Sequence, residues 1–170
     1  NQITWDCAQG NGFGRGLPPK ADNEAKYEYA RPLLADPALV PDCAAINLTG
    51  TLYQELLRIR KSTPAFGLAT GAQVRKRVKF PLAGPAETPG VITMTIDSRG
   101  LDPKWKSITV VFNATPGTAT QQVPALTGKQ VSLHPIQQAS ADPSTRTASF
   151  TSTTGTLKIP PRTVAVFVQS

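Results

Sequence analysis

Eight segments between residues 73 and 168 are rich in Val, Ile, Thr and Phe, and turn-forming residues punctuate them. They are Gln73–Phe80, Val91–Asp97, Lys106–Asn113, Ala119–Val123, Val131–Pro135, Ala148–Thr151, Thr156–Ile159 and Thr163–Val168. Gly84-Pro85, Pro89-Gly90, Pro116-Gly117, Gly128 and Gly155 supply the breaks, because Gly and Pro set backbone angles that strands avoid. Short strands at this spacing predict a mainly β chain ending in an antiparallel β-sandwich of about eight strands. Two strands alternate well enough to assign faces. Ile108, Val110 and Phe112 point one way and Val111 the other, where it is expected to be covered. Val164, Val166 and Val168 line one face of the last strand, opposite Ala165 and Phe167. The run Thr151–Thr154 reads as a hairpin tip.

Upstream of residue 72 the period changes. Leu48, Leu52, Leu56 and Ile59 recur at i, i+4, i+8 and i+11, which is one apolar face of a helix over Leu48–Ser62. Arg58, Arg60 and Lys61 favour its C-terminal dipole, and Pro64 stops it. Glu55 is assigned to the helix's outer side. The apolar face calls for a partner surface beyond what these residues supply.

The stretch Asn11 to Leu39 reads as a long loop with one brief helix. Gly10, Gly12, Gly14 and Gly16 allow sharp turns, and Pro18 and Pro19 hold the exit extended. Asp22 or Asn23 is expected to cap the helix, with Pro32 and Pro37 interrupting it. The glycine spacing matches neither dinucleotide nor P-loop fingerprints, so a phosphate cradle is not assigned.

The net charge of +7 is spread along the chain, at +3 over residues 1–77 and +4 over 78–170. Arg75, Arg77 and Lys79 alternate with Val74, Val78 and Phe80. That reads as the solvated face of a strand in preference to a nucleic-acid stripe, which would add interleaved aromatics. Neither nucleic acid nor membrane is expected as a partner; no apolar run reaches spanning length. Cys7 and Cys43 are too few for a disulfide scaffold. Separate thiols are expected, with pairing as the alternative in an oxidising compartment. Asn47 and Asn113 head N-glycosylation triplets, but Asn113 closes a strand, so secretion is not inferred. A start at Asn1 without Met or a leader pattern fits a fragment or cleaved product.

Hydrolytic chemistry on a glycoside needs two carboxyl groups flanking the bond. None of the acidic residues sits in such a context: Asp97, Asp102 and Asp142 lie beside Gly or Pro in turns. The lone His134, on a strand, is read as structural and removes His-cluster metal sites. No catalytic residue, metal ligand or cofactor is expected in this segment. Trp5 and Trp105 are read as packing residues before a carbohydrate surface.

Several strings occur together and in order: NGFGRGLPP, DNE, RPLLADPAL, LLRIRKSTPAF, PGVITMTID, SITVVFNATP, SLHPIQQASADPSTRTASF and PPRTVAVFV. Together they resemble the late part of a pullulanase or limit dextrinase, the starch-debranching branch of the α-amylase superfamily. The resemblance implies that residues 1–71 are the last loop and helix of a catalytic (β/α)8 barrel whose remainder is absent from this sequence. Residues 72–170 would be the C-terminal sandwich. The parent would cleave α-1,6-glucosidic branch links in pullulan, limit dextrins or amylopectin, and this segment alone would be inactive. The nucleophile and acid/base would come from earlier barrel strands. Asn11, Phe13 and Arg15 are the substrate-binding candidates. Phe13 would stack on a sugar or pin the loop; Arg15 would bond a hydroxyl or pair with a barrel carboxylate. Gln2 stands where the family carries a basic residue. The implied partners are the rest of the barrel and, through it, an α-glucan. The family admits a structural calcium in the parent and suggests a plastid or extracellular address. The alternative is a stand-alone carbohydrate-binding or interaction module, against which stands an aromatic content of 6%.

Overall fold

The computed structural model describes residues 19–85 and 87–170. Two compact units divide at Thr51 and Leu52.

The first unit is helical where described. α1 spans Lys20–Asn23 and α2 spans Tyr27–Ala35, with 3-10 turns at Glu24–Lys26 and Pro37–Leu39. α1 starts after Pro19 without a side-chain cap, so neither Asp22 nor Asn23 opens it; Asn23 instead donates back to the Pro19 carbonyl at 2.9 Å. Pro32 lies inside α2 and does not end it. Proline there forfeits one backbone bond, yet its fixed φ is helical. No residue of α1 or α2 is buried.

α3 runs over Cys43–Lys61, five residues earlier than the leucine period alone implied. The start is set by Asp42, whose Oδ1 accepts from Ala45 N at 2.7 Å. That satisfies one of the orphan donors of a first turn. Cys43 is disulfide-bonded, which corrects the expectation of separate thiols. Cys7 lies outside the described residues.

In the second unit, α4 occupies Gly71–Arg77 and precedes β1, Val78–Lys79. The strand expected over Gln73–Phe80 is therefore mostly helix. Thr70 Oγ1 accepts from Gln73 N at 3.2 Å, and Gln73 Oε1 accepts from Ala69 N at 2.9 Å. This reciprocal cap starts a helix, and three basic residues in its last turn suit the dipole.

Seven further strands complete the sheets among the described residues. They are β2 (Val91–Asp97), β3 (Ser107–Asn113), β4 (Ala119–Gln122), β5 (Val131–Leu133), β6 (Ser149–Thr151), β7 (Thr156–Ile159) and β8 (Thr163–Gln169). One sheet has the order β1-β2-β3-β8-β5 and the other β4-β7-β6, with every pairing antiparallel. Gly155, in the β6–β7 turn, has φ +65, and a Cβ there would meet the Val123 carbonyl oxygen at 2.6 Å. Only glycine fits both conditions.

Two apolar clusters sit on opposite faces of the larger sheet. Val111, Ala165 and Phe167 join Val123, Leu157 and Ile159 between the sheets. Ile108, Val110, Val166 and Val168 pack on the other face with Ile59, Ala65 and Trp105. The period of two makes this possible: Val110 pairs with Val166 and Val111 with Ala165, so neighbouring residues enter different cores. Phe112 shares the alternation of Val110 but is 39% exposed.

Candidate functional site

The second face of the large sheet is covered by the C-terminal half of α3, the 3-10 turn Pro64–Gly67, the Trp105 loop and a short helix, α5, at Pro135–Gln138. Here the inward side chains are Glu55 and Ile59 of α3 and Ser62 just past its end, spaced i, i+4 and i+7. Glu55 is 6% exposed, which overturns its assignment to the outer side. Its Oε2 accepts from Ser140 Oγ at 2.7 Å and its Oε1 from Ala141 N at 2.8 Å. A buried carboxyl needs such donors, since burying a neutral polar group bare costs roughly 2–7 kcal/mol and an ionised one far more. Ser140 in turn accepts from Asp142 N, and Arg146 Nη1 donates to the Ser140 carbonyl at 2.5 Å. Glu55 thus fixes a loop 85 residues away in sequence. Nothing in the helix's own pattern signals that pairing.

His134 is the second link. It caps α5 and is not part of a strand: β5 ends at Leu133. Its Nδ1 accepts from Ile136 N at 3.2 Å, and its Nε2 lies 3.1 Å from Ser62 Oγ, which donates to the Ile59 carbonyl. This fixes the neutral tautomer with the proton on Nε2, donated to Ser62. Burial pushes the imidazole pKa down to about 4 from 6.5. Trp105 meets the ring edge-on at 4.9 Å between centroids, so it packs as expected. His134 is structural, as the sequence indicated.

The remaining face of the same α3 half is open. Tyr53 is 63% exposed and Leu56 and Leu57 are each 42% exposed, with Leu52 half-buried beside them. Leu48 is also exposed.

The turn carboxylates make local bonds, although Asp102 Oδ2 is buried without a hydrogen-bond partner among the described residues. Asp102 Oδ1 accepts from Lys104 N and Trp105 N, and Asp142 accepts from Ser144 N and Thr145. Asp97 takes both Nε and Nη2 of Arg99 at 2.9 Å, and that guanidinium holds its carboxyl below the usual range. Asn113, heading a glycosylation triplet, is 2% exposed and donates to the Gly117 and Pro160 carbonyls at 2.8 Å. Its amide is spent inside the sandwich.

A cleft of about 430 Å³ opens at one end of the sandwich. Lys76, Arg77, Lys79, Arg99, Lys106 and Lys129 line it, over a floor including Ile96, Val123 and Leu126. The sequence placed only the first three together, and on a strand. The others arrive from separate turns and loops, so no local run of charge reported them. Among the described residues no group of His, Cys, Asp and Glu could hold a metal ion, and no helix is long and apolar enough to cross a membrane. Asn11, Phe13 and Arg15, with Gln2 and Trp5, lie outside the described residues.

A family model described as "Alpha-1,6-glucosidases, pullulanase-type, C-terminal" matches residues 8–170. The chain is 39% identical over 168 residues to Pullulanase 1, chloroplastic, from Arabidopsis thaliana, covering 94% of this chain and 17% of that protein. A pullulanase from Klebsiella pneumoniae is 30% identical over 171 residues, covering 98% of this chain and 15% of its own length. The crystal structure of PulA from Klebsiella oxytoca superposes with a TM-score of 0.75 at 29% identity, over 91% of this chain and 15% of that one. The chain spans less than a fifth of the length of the curated relatives it matches.

Proposed function

The chain belongs to the C-terminal family of pullulanase-type α-1,6-glucosidases, and from that premise we propose that it is the C-terminal portion of a starch-debranching glycoside hydrolase. The parent enzyme cleaves α-1,6-glucosidic links in pullulan, limit dextrins or amylopectin, with retention if it follows its family. Residues 1–71 complete a catalytic (β/α)8 barrel, and residues 72–170 form the sandwich that buttresses it. The observation that carries this reading is the family match over residues 8–170. The two-faced character of α3 supports it. Glu55, Ile59 and Ser62 are satisfied by the sandwich, whereas Leu52, Tyr53, Leu56 and Leu57 keep apolar surface open. A barrel wall is the partner such a stripe suits, each side chain contributing roughly 1.5–3 kcal/mol if fully covered.

Within this reading the catalytic carboxylates come from the rest of the barrel. Asn11, Phe13 and Arg15 reach the glucan from the last barrel loop. Release of reducing ends from pullulan tests the proposal, with the 170-residue segment assayed alone and joined to the remainder of a pullulanase barrel. Activity is expected only in the joined protein. Hydrolysis by the segment alone would overturn the assignment of catalysis to residues outside it.

A further inference from the structure

The cleft at the end of the sandwich gathers six cations and one carboxylate, Asp97. Only Arg99 is removed from the count by an acidic partner. Arg99 is held by Asp97 in a two-bond pair, and Lys106 Nζ donates to a Ser170 oxygen at 3.1 Å. Lys76, Lys79, Lys106 and Lys129 have no ion-pair partner among the described residues, and Arg77 feels the Asp97 carboxylate without a direct ion pair to it. Like charges gathered at one mouth repel, and the attraction they focus there falls on anions.

Arg77 is held in place in advance. Its Nη1 donates to the Asp97 carbonyl at 3.0 Å and to the Arg99 carbonyl at 2.9 Å. Both protons of that nitrogen are used on neutral acceptors. The Nε–Nη2 edge is left for another acceptor, and that planar pair of donors matches two phosphate oxygens. Lys79 is likewise steadied by a neutral oxygen, the Arg75 carbonyl at 3.1 Å. The cleft volume of about 430 Å³ lies in the range of small-molecule sites and exceeds what a phosphate alone would fill. Its floor is apolar at Ile96, Val123 and Leu126.

We propose that this cleft binds a phosphate monoester, its dianionic head on the open edge of Arg77 with Lys76, Lys79 and Lys129 around it, and its organic body over the apolar floor. This inference is independent of glucan hydrolysis; it rests on the geometry of the sandwich end alone. Calorimetric titration of the full chain at low salt tests it, with glucose 6-phosphate, inorganic phosphate, uncharged glucose and a single-stranded oligonucleotide as probes. Glucose 6-phosphate is expected to bind saturably and more tightly than inorganic phosphate, while glucose does not bind. Arg77→Gln is expected to weaken glucose 6-phosphate at least about tenfold, as loss of a charged two-donor contact does. Arg77 also supports the Asp97–Arg99 turn, so the exposed pair Lys76→Ala and Lys129→Ala provides a second variant whose fold is not at stake. It is expected to lose about threefold or more. Absence of saturable binding would overturn the proposal, as would equal affinity for glucose 6-phosphate and inorganic phosphate, or affinity unchanged in both variants. An oligonucleotide bound more tightly than the monoester through the same lysines would overturn it in favour of nucleic acid.

Discussion

The helices α1 and α2 and the strands β3 and β8 are opposite ways of using a chain. Neither α1 nor α2 buries a residue, and Tyr29 is 65% and Leu33 52% exposed. Among the described residues their contacts include an exposed Lys20–Glu24 pair at 3.0 Å, and Lys26 and Arg31 over the Tyr29 and Tyr27 rings. Such contacts are worth a few tenths of a kcal/mol to about 1 kcal/mol each. In β3 and β8, by contrast, Ile108, Val111, Ala165 and Phe167 are all fully buried, and adjacent residues enter separate cores. The second unit holds its own apolar interior; α1 and α2 bury no residue. Cooperative unfolding should therefore belong to the second unit, and substitutions should be felt there.

Phe167→Ala tests this most severely. It removes a fully buried ring from the inter-sheet core and is expected to cost about 3–5 kcal/mol. Urea unfolding monitored by Trp105 fluorescence would read the loss. A change under 1 kcal/mol would place the stability elsewhere.

A smaller effect follows from acid. His134 has a folded pKa of about 4 against 6.5 unfolded. Between those values the unfolded chain binds a proton that the folded chain refuses. The stability it contributes is complete above about pH 6.5 and declines as pH falls towards 4, by up to about 3 kcal/mol. Because the sequence has one histidine, comparing unfolding of wild type and His134→Asn across this window isolates the term. The variant should be less stable near neutrality, through loss of the Ser62 bond and the Trp105 edge contact, while Asn keeps an acceptor for the α5 cap, and it should show a flatter dependence. Parallel curves would refute the burial account of His134.

At the other end of the scale, Tyr29→Ser on α2 should change the stability of the second unit by less than about 0.5 kcal/mol. A larger loss in the same urea experiment would mean that α2 contributes to the cooperative core, and the contrast between the regions would break down.

Alternation made β2, β3, β7 and β8 legible, including the division of Val164, Val166 and Val168 from Ala165 and Phe167. The same rule misled at Gln73–Phe80. There Val74, Val78 and Phe80 alternate with basic residues, but Thr70 Oγ1 on Gln73 N and Gln73 Oε1 on Ala69 N set a helix. A Thr-x-x-Gln cap is a sequence signal and outweighs two or three alternating residues. For α3 the leucine period found the helix but left Glu55 on its outer side. A polar residue on a helix is placed outside by default, and Glu55 turns inward only because Ser140 and Ala141 await it. The basic cleft was legible only at Lys76, Arg77 and Lys79; Arg99, Lys106 and Lys129 come from the β2–β3 connection, the start of β3 and the loop before β5.

By itself, then, the order of residues determined most of the strands, that α3 is a helix with an apolar face in need of a partner, and the family to which the motifs belong. These follow from period, capping chemistry and ordered motifs, all of which act over a few neighbouring residues. Only the tertiary structure decided which side of α3 meets the sheet, that His134 is a cap held neutral by burial, and that scattered lysines share one cleft. Each of these depends on groups tens of residues apart being brought within hydrogen-bond or Coulomb range, and the distance between them in sequence carries no record of it.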